Sequence, residues 1–183
     1  MSHINETIDV DVPVKVAYDQ WTQFESFPEF MDGVDRVEQL DDTTLDWTAT
    51  IAGKTKHWKA RITEQEPDSL VAWRSIEGAR NDGAVSFEQL GPNRTRVTLD
   101  LDVEPDGAIE SVGDALGVVE GRVRGDLERF KTFIEGRQVA TGAWRGEVSG
   151  GQEVSGADAG PGSSTGSGQF TSYDEVRKGG GTE

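Results

Sequence analysis

The stretch TLDWTATIAGKTKHWKARI, residues 44–62, decides the fold. Leu45, Trp47, Ala49 and Ile51 alternate with polar residues, and so do Trp58, Ala60 and Ile62. Successive side chains of a strand point to opposite faces, so each run reads as a strand with one apolar face. Ala52-Gly53-Lys54 between them leaves room only for a tight turn, which makes the pair antiparallel.

The same alternation extends outward from Val34 to Val103. LVAWRSI, AVSFEQL and RVTLDLDV are further runs, and Val97, Leu99, Leu101 and Val103 share one face of the last. Turn signals separate the runs at Asp41-Asp42, Glu66-Pro67-Asp68, Glu77-Gly78 and Gly91-Pro92-Asn93, which predicts a meander of consecutive strands. Upstream, HINETIDVDV is a strand with Ile4, Ile8 and Val10 on one face. Asp11 and Pro13 supply a cap and a first-turn proline for a short helix over about residues 14–22, and Pro28 limits FESFPEFM to another turn or two.

Downstream, Pro105-Asp106-Gly107 ends the strands, and a helix follows from about Ala108 to Glu135, capped by Asp106 and closed by Gly136. Ile109, Val112, Leu116, Val119, Val123, Leu127, Phe130 and Ile134 recur every three or four residues along it, an apolar stripe that must face a core. The sum is an α+β domain: a curved antiparallel sheet of about six to seven strands around one long helix, with two short helices. It spans residues 1–138.

From Val139 onward the apolar pattern ceases and 12 of the chain's 23 glycines appear, which predicts a disordered Gly/Ser-rich tail over residues 139–183. Two islands, AWRGEV (143–148) and FTSYDEV (170–176), each keep an aromatic and a valine and are candidate docking motifs for a protein partner.

Composition excludes several functions. A net charge of −16 repels nucleic-acid phosphates and anionic lipid surfaces, and no apolar run is long enough for stable membrane insertion. With no signal-peptide pattern at the start, the expected location is cytoplasmic. The chain has no cysteine and two histidines. His3 sits near the terminus, and His57 is out of phase with Trp58, Ala60 and Ile62 and so on the solvent side, leaving a poor inventory for general-base catalysis. Neither a metal-ligand motif nor a nucleophile elbow nor a phosphate loop is present, so no catalytic residue, metal or cofactor is assigned.

VPVKVAYDQWTQFESFPEFM, GVDRVEQLDDTTLDWTATIAG, ITEQEPDSLVAWRS, GAVSFEQL and DLERFKTFIE together resemble the SRPBCC superfamily: START-like, polyketide cyclase/dehydrase and coenzyme Q-binding-protein-like domains. The resemblance covers residues 1 to about 138 and implies a helix-grip fold with a cavity between the concave sheet face and the long helix. It also implies a bound hydrophobic or amphipathic small molecule, such as a lipid, an isoprenoid or quinone, or a polyketide-like chain. The candidate ligand-binding residues are Trp47, Trp58 and Trp73 on successive strands, Phe27 and Phe30 at the bend, Phe87 and Leu99 on later strands, and Leu116, Gly117 and Gly121 on the helix.

Gly113, Gly117, Gly121 and Gly125 recur every four residues and cost the helix roughly 1 kcal/mol each relative to alanine, so they are expected to admit a strand, a ligand or a partner helix. Arg74 and Glu88 form either a surface ion pair or polar anchors for a ligand. The principal reading is a non-catalytic binding module. A polyketide cyclase/dehydratase and an interaction protein acting through its acidic surface and tail are the alternatives.

Overall fold

In the computed structural model, which describes residues 2–51, 53–104 and 112–155, the elements fall where the alternation places them. β1 (Ser2–Val10) is followed by α1 (Val14–Trp21) and a 3-10 turn (Phe24–Glu29). Then come β2 (Val34–Gln39), β3 (Thr44–Ile51), β4 (Lys54–Glu66), β5 (Leu70–Gly78), β6 (Asn81–Gly91) and β7 (Arg94–Val103). The long helix α2 spans Val112–Arg137. Strand order is β1-β7-β6-β5-β4-β3-β2, each neighbouring pair antiparallel, so the chain's first strand closes against its last meander strand.

The main core lies between the sheet and α2, with a smaller cluster of Ala49, Trp58 and Ala60 on β3 and β4. Ile4 and Val10 of β1, Ile62, Val71, Val85, Val97 and Leu99 of the meander, and Val123, Leu127, Phe130 and Ile134 of the helix stripe are all buried in the main core. Ion pairs and hydrogen bonds fix the helix along β1. Arg124 reaches Glu6 at 2.7 Å, Lys131 donates to the carbonyl of Asp9 at 2.7 Å, and Glu135 accepts from the amide of Asp11 at 2.9 Å.

Four expectations change. Asp11 does not cap α1: Pro13 holds the N-cap position without a side-chain hydrogen bond, because the Asp11 segment is tied to α2 instead. Gly136 does not close α2. The helix runs one residue further, and Gln138 takes the left-handed conformation (φ 59°), its amide side chain donating to the carbonyl of Glu135 at 2.7 Å. The proposed cap at Asp106 and the helix start at 108–111 lie outside the described residues.

The remaining two changes concern strand count and the end of the packed domain. Residues 147–149 form β8 (Glu147–Ser149) and 152–155 form β9 (Gln152–Ser155), giving nine strands among the described residues rather than six or seven. β8 pairs with β4 at Gln65 and Glu64. β3 ends its pairing opposite Arg61, so β8 occupies the edge of β4 that β3 leaves open, and Val148 is buried.

The segment leading to β8 is a strap over α1, so residues 139–155 belong to the packed structure rather than to a tail. The buried amide of Gln20 accepts from the Thr141 backbone at 2.9 Å and donates to its hydroxyl at 3.0 Å, and Thr22 accepts from the Trp144 amide at 3.0 Å. Arg145 pairs with Asp19 and Asp68 while lying over the Tyr18 ring. The island AWRGEV thus docks on its own domain. FTSYDEV and the rest of 156–183 lie outside the described residues.

Candidate functional site

Strand alternation sends one set of side chains of β3 to β7 toward α2, and these form the wall of an apolar cavity of about 140 Å³ that opens to solvent. Trp47 and Trp58 face each other across the β3–β4 pair and stack with ring centroids 5.5 Å apart. Trp73, Ile62, Val71, Val85, Leu99 and Leu101 continue the sheet wall. Phe24, Phe27 and Met31 from the bend and Val119, Val123 and Leu127 from α2 close the other side. A dry cavity of about 150 Å³ takes up a benzene-sized molecule, so this one holds roughly one ring, with anything longer projecting through the opening.

Five of the ten sequence-chosen residues, Trp47, Trp58, Trp73, Phe27 and Leu99, line the cavity. The other five do not. Phe30 packs its ring 5.3 Å from those of Phe130 and Phe133, joining the bend to α2. Phe87 meets the Tyr18 ring edge-on at 5.5 Å and joins β6 to α1. Leu116 is half-buried against the core beside the cavity.

Gly117 and Gly121 are exposed, and a β-carbon added to either would meet nothing within 4 Å among the described residues, so the sheet does not pack on them and they stand outside the cavity wall. A β-carbon at Gly125 would first meet the Arg129 guanidinium, and the side-chain surroundings of position 113 lie outside the described ones. Arg74 and Glu88 both point outward, and Glu88 faces Arg96 at 3.9 Å rather than Arg74. His3 and His57 are exposed, bonded to Asp102 and Thr48 respectively.

Sequence reasoning missed the polar corners. Asn81 lines the cavity and accepts from the Trp73 indole at 3.1 Å. More substantial is a charged row on α2, Arg122, Asp126 and Arg129, spaced four and three residues apart directly beside the apolar row Val119, Val123, Leu127 and Phe130. All three grip the backbone of the bend. Arg129 donates to the carbonyl of Phe30 at 3.2 Å, Asp126 accepts from the amide of Asp32 at 2.9 Å, and Arg122 donates to the carbonyl of Asp32 from Nε at 2.9 Å and from Nη2 at 2.6 Å. Nη2 of Arg122 also reaches the carbonyl of Thr50 at 3.3 Å.

Gly33 makes that grip feasible. Its φ of +87° disfavours a side chain, and a β-carbon there would lie 1.5 Å from Nη2 of Arg122. A charged row adjoining a helical apolar stripe, together with Asp32-Gly33 ahead of a strand, was the available signal. Burial raises the Asp126 carboxyl above its usual pKa, against the opposing pull of Arg129, the Asp32 amide and Arg122.

Burial likewise pushes the Tyr18 phenol up to about 12. Its hydroxyl and the Gln65 amide approach each other under the strap but fall short of a hydrogen bond. Among the described residues no cluster of three or more His, Cys, Asp or Glu could hold a metal, and no helix is long and apolar enough to cross a membrane.

A family model described as polyketide cyclase/dehydrase and lipid transport matches residues 10–132. An uncharacterized 17.2 kDa protein of Streptomyces lincolnensis is 51% identical over 149 residues, covering 81% of this chain and 99% of that protein. The alignment is longer than the 138 residues of the expected domain. The crystal structure of the Zhui aromatase/cyclase of Streptomyces sp. R1128 matches with a TM-score of 0.57 at 16% identity, over 75% of this chain and 93% of that one. A START superfamily protein of Mycobacterium smegmatis matches with a TM-score of 0.60 at 18% identity, over 74% and 95%. These two likenesses speak for the helix-grip fold.

Proposed function

The chain belongs to the polyketide cyclase/dehydrase and lipid transport family, and on that premise we propose that it binds an apolar or amphipathic small molecule without transforming it. The observation that carries the reading is the cavity itself: a ring-lined hollow between the sheet and α2, with polar side chains, among the described residues, only at Asn81, Arg122 and Asp126. Burial of apolar surface supplies the affinity, at roughly 25 cal/mol per Å² before the costs of association are counted. Both histidines of the chain lie on its outer surface, away from the cavity.

A second reading, an aromatase/cyclase-type enzyme, is favoured by one feature. The Asp126 carboxyl, raised by burial, lines the cavity beside a guanidinium and is an acid-base group placed there.

Trp47, Trp58 and Trp73 make the test direct, because a ligand in the cavity contacts indoles. Titration with 2-naphthalenemethanol is expected to change tryptophan emission saturably at one equivalent, and Leu99→Trp, which fills the hollow, is expected to abolish the change while the protein remains folded. Emission that never saturates, or uptake undiminished in a folded Leu99→Trp variant, would refute the binding reading. Turnover of an aryl-ketide thioester that disappears in Asp126→Asn would decide for the enzyme.

A further inference from the structure

We propose that the ligand of this cavity carries an anionic head, a carboxylate in the first instance, and that Arg122 is its anchor. The inference rests on the binding reading above and narrows the class of molecule bound.

Arg122 lines the cavity, yet its hydrogen-bond partners are neutral: the carbonyls of Asp32 and Thr50, reached through Nε and Nη2, while the nearby Asp126 carboxyl senses its charge without bonding to it. Among the described residues no carboxylate forms an ion pair with it, and Nη1 has no hydrogen-bond partner. The neighbouring cations differ. Arg124 is paired with Glu6 and Arg129 with Asp126. Asp126 is already engaged by Arg129 and by the Asp32 amide, so it is poorly disposed to neutralise Arg122 as well.

A half-buried guanidinium held by two backbone carbonyls, with one edge unused beside an apolar hollow, is pre-organised for a planar anion. Gly33 is part of the arrangement, since the guanidinium occupies the space a side chain would take. The tethers also fix the position of the charge. Arg122 joins α2 to the bend before β2 and to the end of β3, so a carboxylate there would sit at one end of the cavity while the ligand's apolar body lies among the tryptophans. The net charge of −16 works against binding anions anywhere on this protein, so a preference for an acid over its neutral analogue must come from a local site.

The experiment compares 2-naphthoate with 2-naphthalenemethanol, which share a ring system and differ in charge. Wild-type protein is expected to bind the acid about tenfold more tightly, and Arg122→Gln is expected to bring the two affinities together by weakening the acid alone. Arg122→Lys, which keeps the charge but loses the planar fork, is expected to retain part of the preference. Should Arg122→Gln fail to fold, the wild-type preference and its decline with added NaCl decide the matter. Equal affinity for acid and alcohol in the wild type, or a preference that survives in Arg122→Gln, overturns the anchor. Failure of both compounds to bind overturns the cavity reading and the anchor with it, whereas alcohol uptake without acid preference overturns the anchor alone.

Discussion

Two irregular segments border the core, and they are held by opposite means. The bend of residues 24–33 is held chiefly by rings: Phe30 alone lies within 6.3 Å, centroid to centroid, of Trp21, Phe27, Phe130 and Phe133. The strap of residues 141–149 inserts one buried valine, rests the half-buried Trp144 against the core, and is otherwise held by hydrogen bonds and ion pairs to Gln20, Thr22, Asp19 and Asp68. Ring burial is non-directional and strong, whereas each polar contact replaces a bond to water and nets only about 1 kcal/mol. The bend should therefore behave as core and the strap as a weaker, separately removable layer.

The largest effect expected from this contrast is at the bend. Phe30→Ala removes a fully buried ring and should lower unfolding free energy by about 3–5 kcal/mol in urea melts. A loss below about 1 kcal/mol would mean that the α2 staples, rather than the rings, hold the bend.

The strap comes next. Arg145→Gln leaves Asp19 with only the exposed Lys15 as ionic partner and Asp68 with none among the described residues, and should cost about 1–3 kcal/mol. Amide exchange is the sharper measurement. Val148 and Ser149 should lose protection in the variant while Val123 to Ile134 keep theirs, and a uniform loss would erase the distinction between strap and core.

The smallest effect is a control on a surface that neither segment touches. Gly117→Ala and Gly121→Ala enter open space on α2 and should each raise stability by up to about 1 kcal/mol through helix propensity. A decrease in melting temperature would show that this face is covered in solution.

The meander was legible because alternation is a local property. Leu45, Trp47 and Ala49, then Trp58, Ala60 and Ile62, declare their faces from sequence, and every turn signal from Asp41 to Asn93 falls at a strand junction. The site was half legible for the same reason. Trp47, Trp58, Trp73 and Leu99 face inward by parity, but parity does not tell whether an inward ring borders a hollow or fills a gap, which separates Phe27 from Phe30. Arg122 escaped notice because a single arginine on a helix reads as solvated surface until the backbone carbonyls that receive it are known.

By itself, then, the sequence determined the sheet, its turns, the helix stripe and the family resemblance, all of which depend on residues close in the chain or on a repeating period. Tertiary structure alone decided that AWRGEV docks on α1 and β4, that Gly117 and Gly121 face outward, and that Gly33 yields its space to Arg122. Those outcomes rest on contacts between residues roughly 75 to 125 positions apart, and complementarity at that separation leaves no periodic trace in the sequence.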